Sequence, residues 1–325
     1  LTDLKLSYSL TSHSQEIDFL FSDENDFFRK GEAKLFAKNN DKFIGFWHPD
    51  YVHKGEPYIC FGYWCFENQN DFSENMESLQ KWTAEKNIGQ ILGPIDFSTL
   101  HNYRLPLAQF EQNFMGEPSG NMSQTKALKN FKFKSVQRYS SYYINDPSSI
   151  YSWGKKRSQK ILKQGAVLKS LSFDELDFSK RRLEVYSLID RVFQNNLGYL
   201  KPNHHELNFL YHENKLKHLS KFPFFFVEDD MEKLVGLFVS FIGPNVFESG
   251  AGNCLYFKTI GAEPSKNLHN PVFFFLIHEI YRTYEQMNMN LPICFSLMRE
   301  GNVAEKVAKM FSNQSRSYAL FRLGL

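Results

Sequence analysis

The same order of elements can be read twice along this chain: hairpin, apolar central strand, helix, strand, helix, strand. That repetition limits the fold more than any single motif does. In the first half, EAKLFAKNNDKFIGFWHP reads as two strands joined at Asn39 to Asp41, residues suited to a hairpin turn. PYICFGYWCFE follows as a strand too apolar for an exposed face, so it belongs centrally in a sheet. DFSENMESLQKWTAEKN then repeats Phe72, Met76, Leu79 and Trp82 at helical spacing, with Asp71 or Ser73 expected as the cap. QILGP is the next strand, leading into a polar connection that holds DFSTLHNYRL. SQTKALKNFKF and SVQRYSSYYIN are expected to close this half.

In the second half, FPFFFVEDDMEKLVGLFVSFIG is again two strands around an acidic turn. The strand NCLYFKTIGAE, the helix PVFFFLIHEIYRTYEQMN and the strand LPICFSLM follow in the same order. A helix from Asn302 to Phe311 and the strand SRSYALFRLGL are expected to close it. Gly45 with Gly236, Phe61 with Phe257 and Ile91 with Ile293 take comparable places. Identity between the halves is too low for a repeat of residues, so what is duplicated is architecture. Two amphipathic helices, SSIYSWGKKRSQKILKQGAVLKSL and FSKRRLEVYSLIDRVFQ, open the second unit, and NDPSS before them has linker chemistry. The expected domains are 1–147 and 148–325, in an α/β (α+β) chain.

A length of 325 residues agrees with two domains, and 42% hydrophobic residues with a net charge of +2 describe a folded protein rather than a coat for nucleic acid. Cys60, Cys65, Cys254 and Cys294 lie in apolar runs without metal-type pairing and are read as buried, reduced thiols. No stretch is long and apolar enough to span a bilayer, and LTDLKLSYSL lacks the pattern of a signal peptide; the expected location is cytoplasmic. The 33 phenylalanines leave two readings open, a heavily aromatic core or a deep apolar pocket.

FGYWCFE (Phe61 to Glu67) and GQILGPIDFS (Gly89 to Ser98) resemble segments of double-domain bacterial proteins of the GNAT acyl-coenzyme A N-acyltransferase superfamily. SLMREGNVAEKVAKMF, a strand yielding to an Asn-led helix, is similar to the ending of the same family. The resemblance implies two tandem GNAT-like domains, each a bent mixed sheet flanked by helices that splits between its central strands to admit coenzyme A. WGKKRSQKILKQGAVLK is also similar to a basic helix of Fem-like aminoacyltransferases, which are double-GNAT proteins too.

Binding acyl-coenzyme A would need backbone amides at a helix start to receive the pyrophosphate. In GAEPSKNLHNPV, Asn270 suits an N-cap, Pro271 a first helical residue and Lys266 a phosphate contact. Ile260, Gly261, Ala262, Lys266, Asn267, Leu268, His269, Asn270 and Asn302 are therefore the candidate cofactor contacts. Within it SKNLHN has no glycine to let phosphate approach closely, which departs from the family pattern. The first-half counterpart ENQND is acidic, which assigns the cofactor to the second half. For acyl transfer to an amine, Glu263 is the candidate base and Tyr318 the candidate acid, with Glu300 at the strand end beside them. His101 and Tyr103 follow a strand end, where such sheets place ligands, and are candidate acceptor contacts. HHE at His204 and His205 lacks zinc-site spacing, and no metal is expected.

These residues imply an N-acyltransferase moving an acyl group from coenzyme A to an amine of a small molecule or peptide. Two alternatives stay open: an aminoacyl-transfer-RNA-dependent transferase, for which Lys155 to Lys163 could meet RNA phosphates, and a noncatalytic binding protein on a degenerate fold. No DNA partner is expected.

Overall fold

The computed structural model describes residues 18–118, 120–163, 165, 167–211, 224–248, 252–263 and 271–325. Its first half runs β1 (Glu32–Lys38), β2 (Asp41–Trp47), β3 (Val52–His53), β4 (Glu56–Pro57), β5 (Ile59–Cys65), α1 (Gln69–Glu85), β6 (Gln90–Gly93), β7 (Leu105–Pro106), α2 (Met122–Asn130) and β8 (Lys134–Ile144). There follow α3 (Ser148–Lys163), β9 (Lys169–Ser172), α4 (Phe178–Phe193), α5 (His204–Leu210), β10 (Phe224–Glu228), β11 (Leu234–Pro244), β12 (Asn253–Ala262), α6 (Pro271–Gln286), β13 (Ile293–Arg299), α7 (Val303–Phe311) and β14 (Gln314–Gly324).

Local chemistry accounts for most boundaries. Asn39 takes the left-handed conformation (φ 52°) that the β1–β2 turn needs, a conformation Asn tolerates better than most residues. The α1 cap is Asn68 rather than Asp71 or Ser73: its side chain accepts from the Asn70 and Asp71 N–H groups at 3.0 Å. Asp71 is engaged instead by the side-chain amides of Asn39 and Asn68. Phe72, Met76, Leu79 and Trp82 of α1 then bury against Phe36, Phe43 and Phe61 of the sheet. Each large apolar side chain so buried contributes about 1.5–3 kcal/mol. Three of the cysteines are buried as expected, but Cys65 is exposed at the end of β5, where the strand leaves the core.

All the strands except β3 and β4 join one sheet, in the order β1-β2-β5-β6-β14-β8-β13-β12-β11-β10-β9, with β7 attached to β14. The pairs β5–β6 and β12–β13 are parallel and the others antiparallel, so the two halves of the sheet run alike outward from the β14–β8 seam, with β9 an additional strand at one edge. Registers sharpen the correspondence. Ile91 faces Ile59, two residues before Phe61, and Ile293 faces Leu255, two before Phe257, so both sequence pairings hold. Gly45 faces Phe61 whereas Gly236 faces Ala262, so those two glycines are not counterparts; Ser240, opposite Phe257, is the counterpart of Gly45.

The closing strands depart from expectation. β8 lies beside β13 of the second half, and β14 lies beside β6 of the first, the two pairing with each other at the seam. Each half thus donates its last strand to the other half's parallel pair, which leaves no unpaired edge in the middle of the sheet. Helices α1, α2, α3, α6 and α7 cover one face. The opposite face carries α4, α5 and the connection containing Ile95, Phe97, Phe110 and Phe114. Among the described residues no helix is long and apolar enough to cross a membrane, and no His/Cys/Asp/Glu group could hold a metal.

Burial, the largest cause in each case, holds His48, His53 and His278 below the ordinary imidazole value of 6.5. His48 Nδ1 also accepts the Asp50 N–H at 3.1 Å, a bond available only to neutral imidazole. The unfolded chain therefore takes up protons first as pH falls through 6.5, and the stability these groups contribute is full above that value and lost below it. Thermal melts should shift to lower temperature between about pH 7.5 and about pH 5.5, with the slope flattened in His48→Gln and His278→Gln; a melting temperature constant across that window would contradict this.

Candidate functional site

In both halves the central parallel strands pair for a short distance and then part. Between β5 and β6 the ladder covers Ile59–Ile91 and Cys60–Leu92. Beyond it the chain itself closes the gap. The Ile95 N–H donates to Phe61 O at 2.7 Å, and the Tyr63 N–H, in a left-handed bulge (φ 49°), donates to Asp96 Oδ1 at 2.5 Å. A Cβ on Gly62 would lie 2.2 Å from Ile95 O, so the two segments touch where only glycine fits.

Between β12 and β13 the ladder covers Leu255–Ile293, Tyr256–Cys294 and Phe257–Phe295 and stops. β12 bulges past Lys258, since Phe257 faces Ser240 and Thr259 faces Val239, and then stays with β11 as far as Glu263, whose N–H donates to Val235 O at 2.8 Å. β13 turns the other way at Leu297 (φ 57°). There its N–H donates to Ser141 Oγ at 3.0 Å, and its carbonyl accepts from Arg104 Nη1 at 3.3 Å. The two strands are thus drawn apart by bonds to their outer neighbours.

The sequence candidates fall in different places around this split. Ile260, Gly261 and Ala262 pair with Phe238, Leu237 and Gly236 along β12. Lys266, Asn267, Leu268, His269 and Asn270 lie outside the described residues. Glu263 forms ion pairs with Lys233 Nζ and Arg191 Nε, both at 2.9 Å. Asn302 caps α7, accepting the Glu305 N–H at 2.6 Å. Glu300 is exposed, its N–H donating to Arg138 O. His101 bonds Glu206 at 2.8 Å, its side chain only 1% exposed, and so ties the first half to α5.

Tyr318 and Tyr103 come close to the seam. Tyr318 pairs in register with Tyr139 across β14 and β8. The Tyr318 hydroxyl donates to buried Glu117, which also binds Arg316 at 3.0 Å. Burial and the Glu117 charge push the Tyr318 phenol far above its usual range. The Tyr139 hydroxyl is also buried but makes no hydrogen bond of good geometry. The Arg104 guanidinium lies 3.8 Å from the Tyr103 ring centroid and 4.4 Å from that of Tyr139. Burial raises the Tyr139 phenol as well, while Arg104 and Arg299 oppose the shift. Both tyrosines therefore carry their protons at neutral pH, and the Tyr139 phenol has the Tyr103 phenol as its near neighbour. Arg104, Tyr139 and Ser141 were not singled out from the sequence; nothing in RYSSYY says which of its tyrosines faces a neighbouring strand's bulge.

No family model matches the sequence, and no curated protein matches it. Among solved structures, a conserved Enterococcus faecalis V583 protein of unknown function, described as a probable N-acyltransferase, matches with a TM-score of 0.53 at 8% identity. The match covers 99% of this chain and 68% of that one. The fold is GNAT-like. Looser matches include a GCN5-related N-acetyltransferase from Sphaerobacter thermophilus (TM-score 0.43, 8% identity, 87% of this chain and 80% of that one). A tandem GNAT protein from the clavulanic acid biosynthesis pathway matches at TM-score 0.40 and 7% identity, over 89% of this chain and 85% of that one. In GNAT-like terms, this chain carries two parallel pairs in one sheet, one closed by its own backbone and one drawn open.

Proposed function

We propose that the protein is an N-acyltransferase that takes an acyl group from coenzyme A in the β12–β13 split and passes it to an amine. The observation that carries this is the contrast between the two parallel pairs: Ile95 and Asp96 fill the first, while the second ends at Phe257–Phe295 with both strands held away from each other. A split kept on a noncatalytic fold would have no need to differ from its counterpart in this way.

In the transfer, the amine nitrogen attacks the thioester carbonyl, the carbon–nitrogen bond forms, the carbon–sulfur bond breaks, coenzyme A leaves as a thiolate that takes up a proton, and the nitrogen gives up its own proton, which restores the acid. Backbone N–H groups of β12 near the Lys258 bulge polarise the carbonyl. The Tyr139 phenol, rather than Tyr318, supplies the proton, because the Tyr318 hydrogen is spent on Glu117. The Glu263 carboxylate is taken up by ion pairs with Arg191 and Lys233, so the ammonium proton passes to solvent before attack.

Calorimetric titration with acetyl-coenzyme A and with a long-chain acyl-coenzyme A should give a single site per chain. Tyr139→Phe should leave that affinity unchanged and lower turnover by roughly 100-fold, the usual scale of general acid catalysis, with Tyr318→Phe losing stability instead. Absence of binding by either thioester would remove this reading. A second reading, transfer from aminoacyl transfer RNA, draws on Lys155, Lys156, Lys160 and Lys163, all exposed on α3. It requires transfer-RNA binding that weakens steeply with salt.

A further inference from the structure

A cavity of about 360 Å³ opens on the face that carries α4, where strands from both halves meet. Its lining includes His53, Lys54, Gln90, Asn195, Arg299 and Arg322, with no carboxylate among the lining residues. The cations arrive from separate elements: Lys54 from the tip of the β3–β4 hairpin, Arg299 from β13 and Arg322 from β14. Among the described residues none of these three forms an ion pair. The bonds they make go to neutral acceptors, Arg299 to Asn195 O and Asn196 Oδ1 at 3.3 and 3.2 Å, and Arg322 to Gln90 Oε1 at 3.4 Å. Burial, then the charges of Lys54 and Arg322, keep His53 below its usual range, as expected where positive potential is not compensated.

Like charges gathered around a concave surface repel one another, and they focus a field that favours an anion. The volume falls in the usual range for small-ligand sites. Two arginines and a lysine on neutral amide neighbours match phosphate, which takes planar guanidinium bonds and a point charge together. Arg299 stands two residues beyond Leu297, where β13 leaves the split, so a ligand held here would reach toward the acyl group from the first-half side.

We propose that this cavity binds the phosphate or pyrophosphate group of an anionic acyl acceptor, a phosphorylated amine, separately from coenzyme A. The acceptor role rests on the transferase reading above; the anion site itself does not.

The test is calorimetry at physiological ionic strength with inorganic pyrophosphate and, separately, acetyl-coenzyme A, on the intact protein and on Lys54→Asn/Arg322→Gln. Both positions are exposed, and Asn suits the left-handed turn conformation of Lys54 (φ 55°), so the variant should fold. Pyrophosphate should bind the intact protein and weaken at least about tenfold in the variant, the scale of losing one charge-assisted bond or more, while acetyl-coenzyme A affinity stays within about twofold. Pyrophosphate that fails to bind, or binds the variant equally well, overturns the site. Acetyl-coenzyme A that competes with pyrophosphate and is lost in the same variant makes the cavity the cofactor's phosphate site and overturns the acceptor assignment. If acetyl-coenzyme A binds neither protein but pyrophosphate is lost in the variant, the anion site stands and the transferase reading falls.

Discussion

Glu117→Ala should cost about 3–5 kcal/mol of folding stability, the range found when one partner of a buried ion pair is removed. The Glu117 side chain is fully buried and that of Arg316 only 9% exposed. Besides Arg316 and the Tyr318 hydroxyl, the carboxylate accepts the Phe114 N–H at 3.1 Å. Alanine would strand a guanidinium between the rings of Phe110 and Phe247 with only the Gln112 and Val246 carbonyls to receive it, and would leave the Tyr318 hydroxyl without its acceptor. Urea unfolding should show a large fall in midpoint at unchanged slope. Glu117→Ala/Arg316→Met should recover a good part of the loss, because the uncompensated charge is then gone. A fall of less than about 1 kcal/mol in the single variant would mean that water or rearrangement satisfies Arg316, and that the cluster contributes little to stability.

Dividing the chain at 147/148 should leave neither piece folded. The first piece would lack β14, which pairs with both β6 and β8, and the second would lack β8, which pairs with β13. Ala319, Leu320 and Phe321 are essentially buried, and each large apolar side chain left in water forfeits about 1.5–3 kcal/mol against a typical net stability of 5–15 kcal/mol. Each piece alone should melt without a cooperative transition, and the two expressed together should recover one. A cooperative transition in the isolated 1–147 piece would show that the exchanged strands are dispensable.

The order of elements was legible because hydrophobic period and turn chemistry are local properties, and nearly every strand and helix read from the sequence is present. The exchange of closing strands was not. β8 and β14 are both long, both buried along much of their length and both antiparallel to their neighbours, so their patterns suit either position. The α1 cap was misplaced for a similar reason: Asn68, Asp71 and Ser73 all have capping chemistry, and the choice is made by Asn39, which draws Asp71 away. Site geometry was the least legible. A left-handed Leu297 and a bulge at Lys258 are set by bonds to Ser141, Arg104 and β11, partners distant in sequence. The link between His101 and Glu206 likewise spans a separation that spacing cannot reveal.

Among the described residues, a sheet that continues unbroken through β14 and β8 also leaves no hinge between its two halves. Two lobes joined by a linker could close on a substrate like jaws, at the expense of a small interface. Here a closing motion between halves would have to shear a ladder of main-chain hydrogen bonds, so the acyl split and the basic cavity keep a fixed separation. Admission of ligands falls to the pieces laid over the sheet, the stretch after α4 that Arg299 holds through Asn195 and Asn196, and the short hairpin that carries Lys54. Loops of this kind move in nanoseconds to microseconds. Turnover should accordingly respond to substitutions in these two coverings more than to the solvent viscosity that slows whole-domain closure.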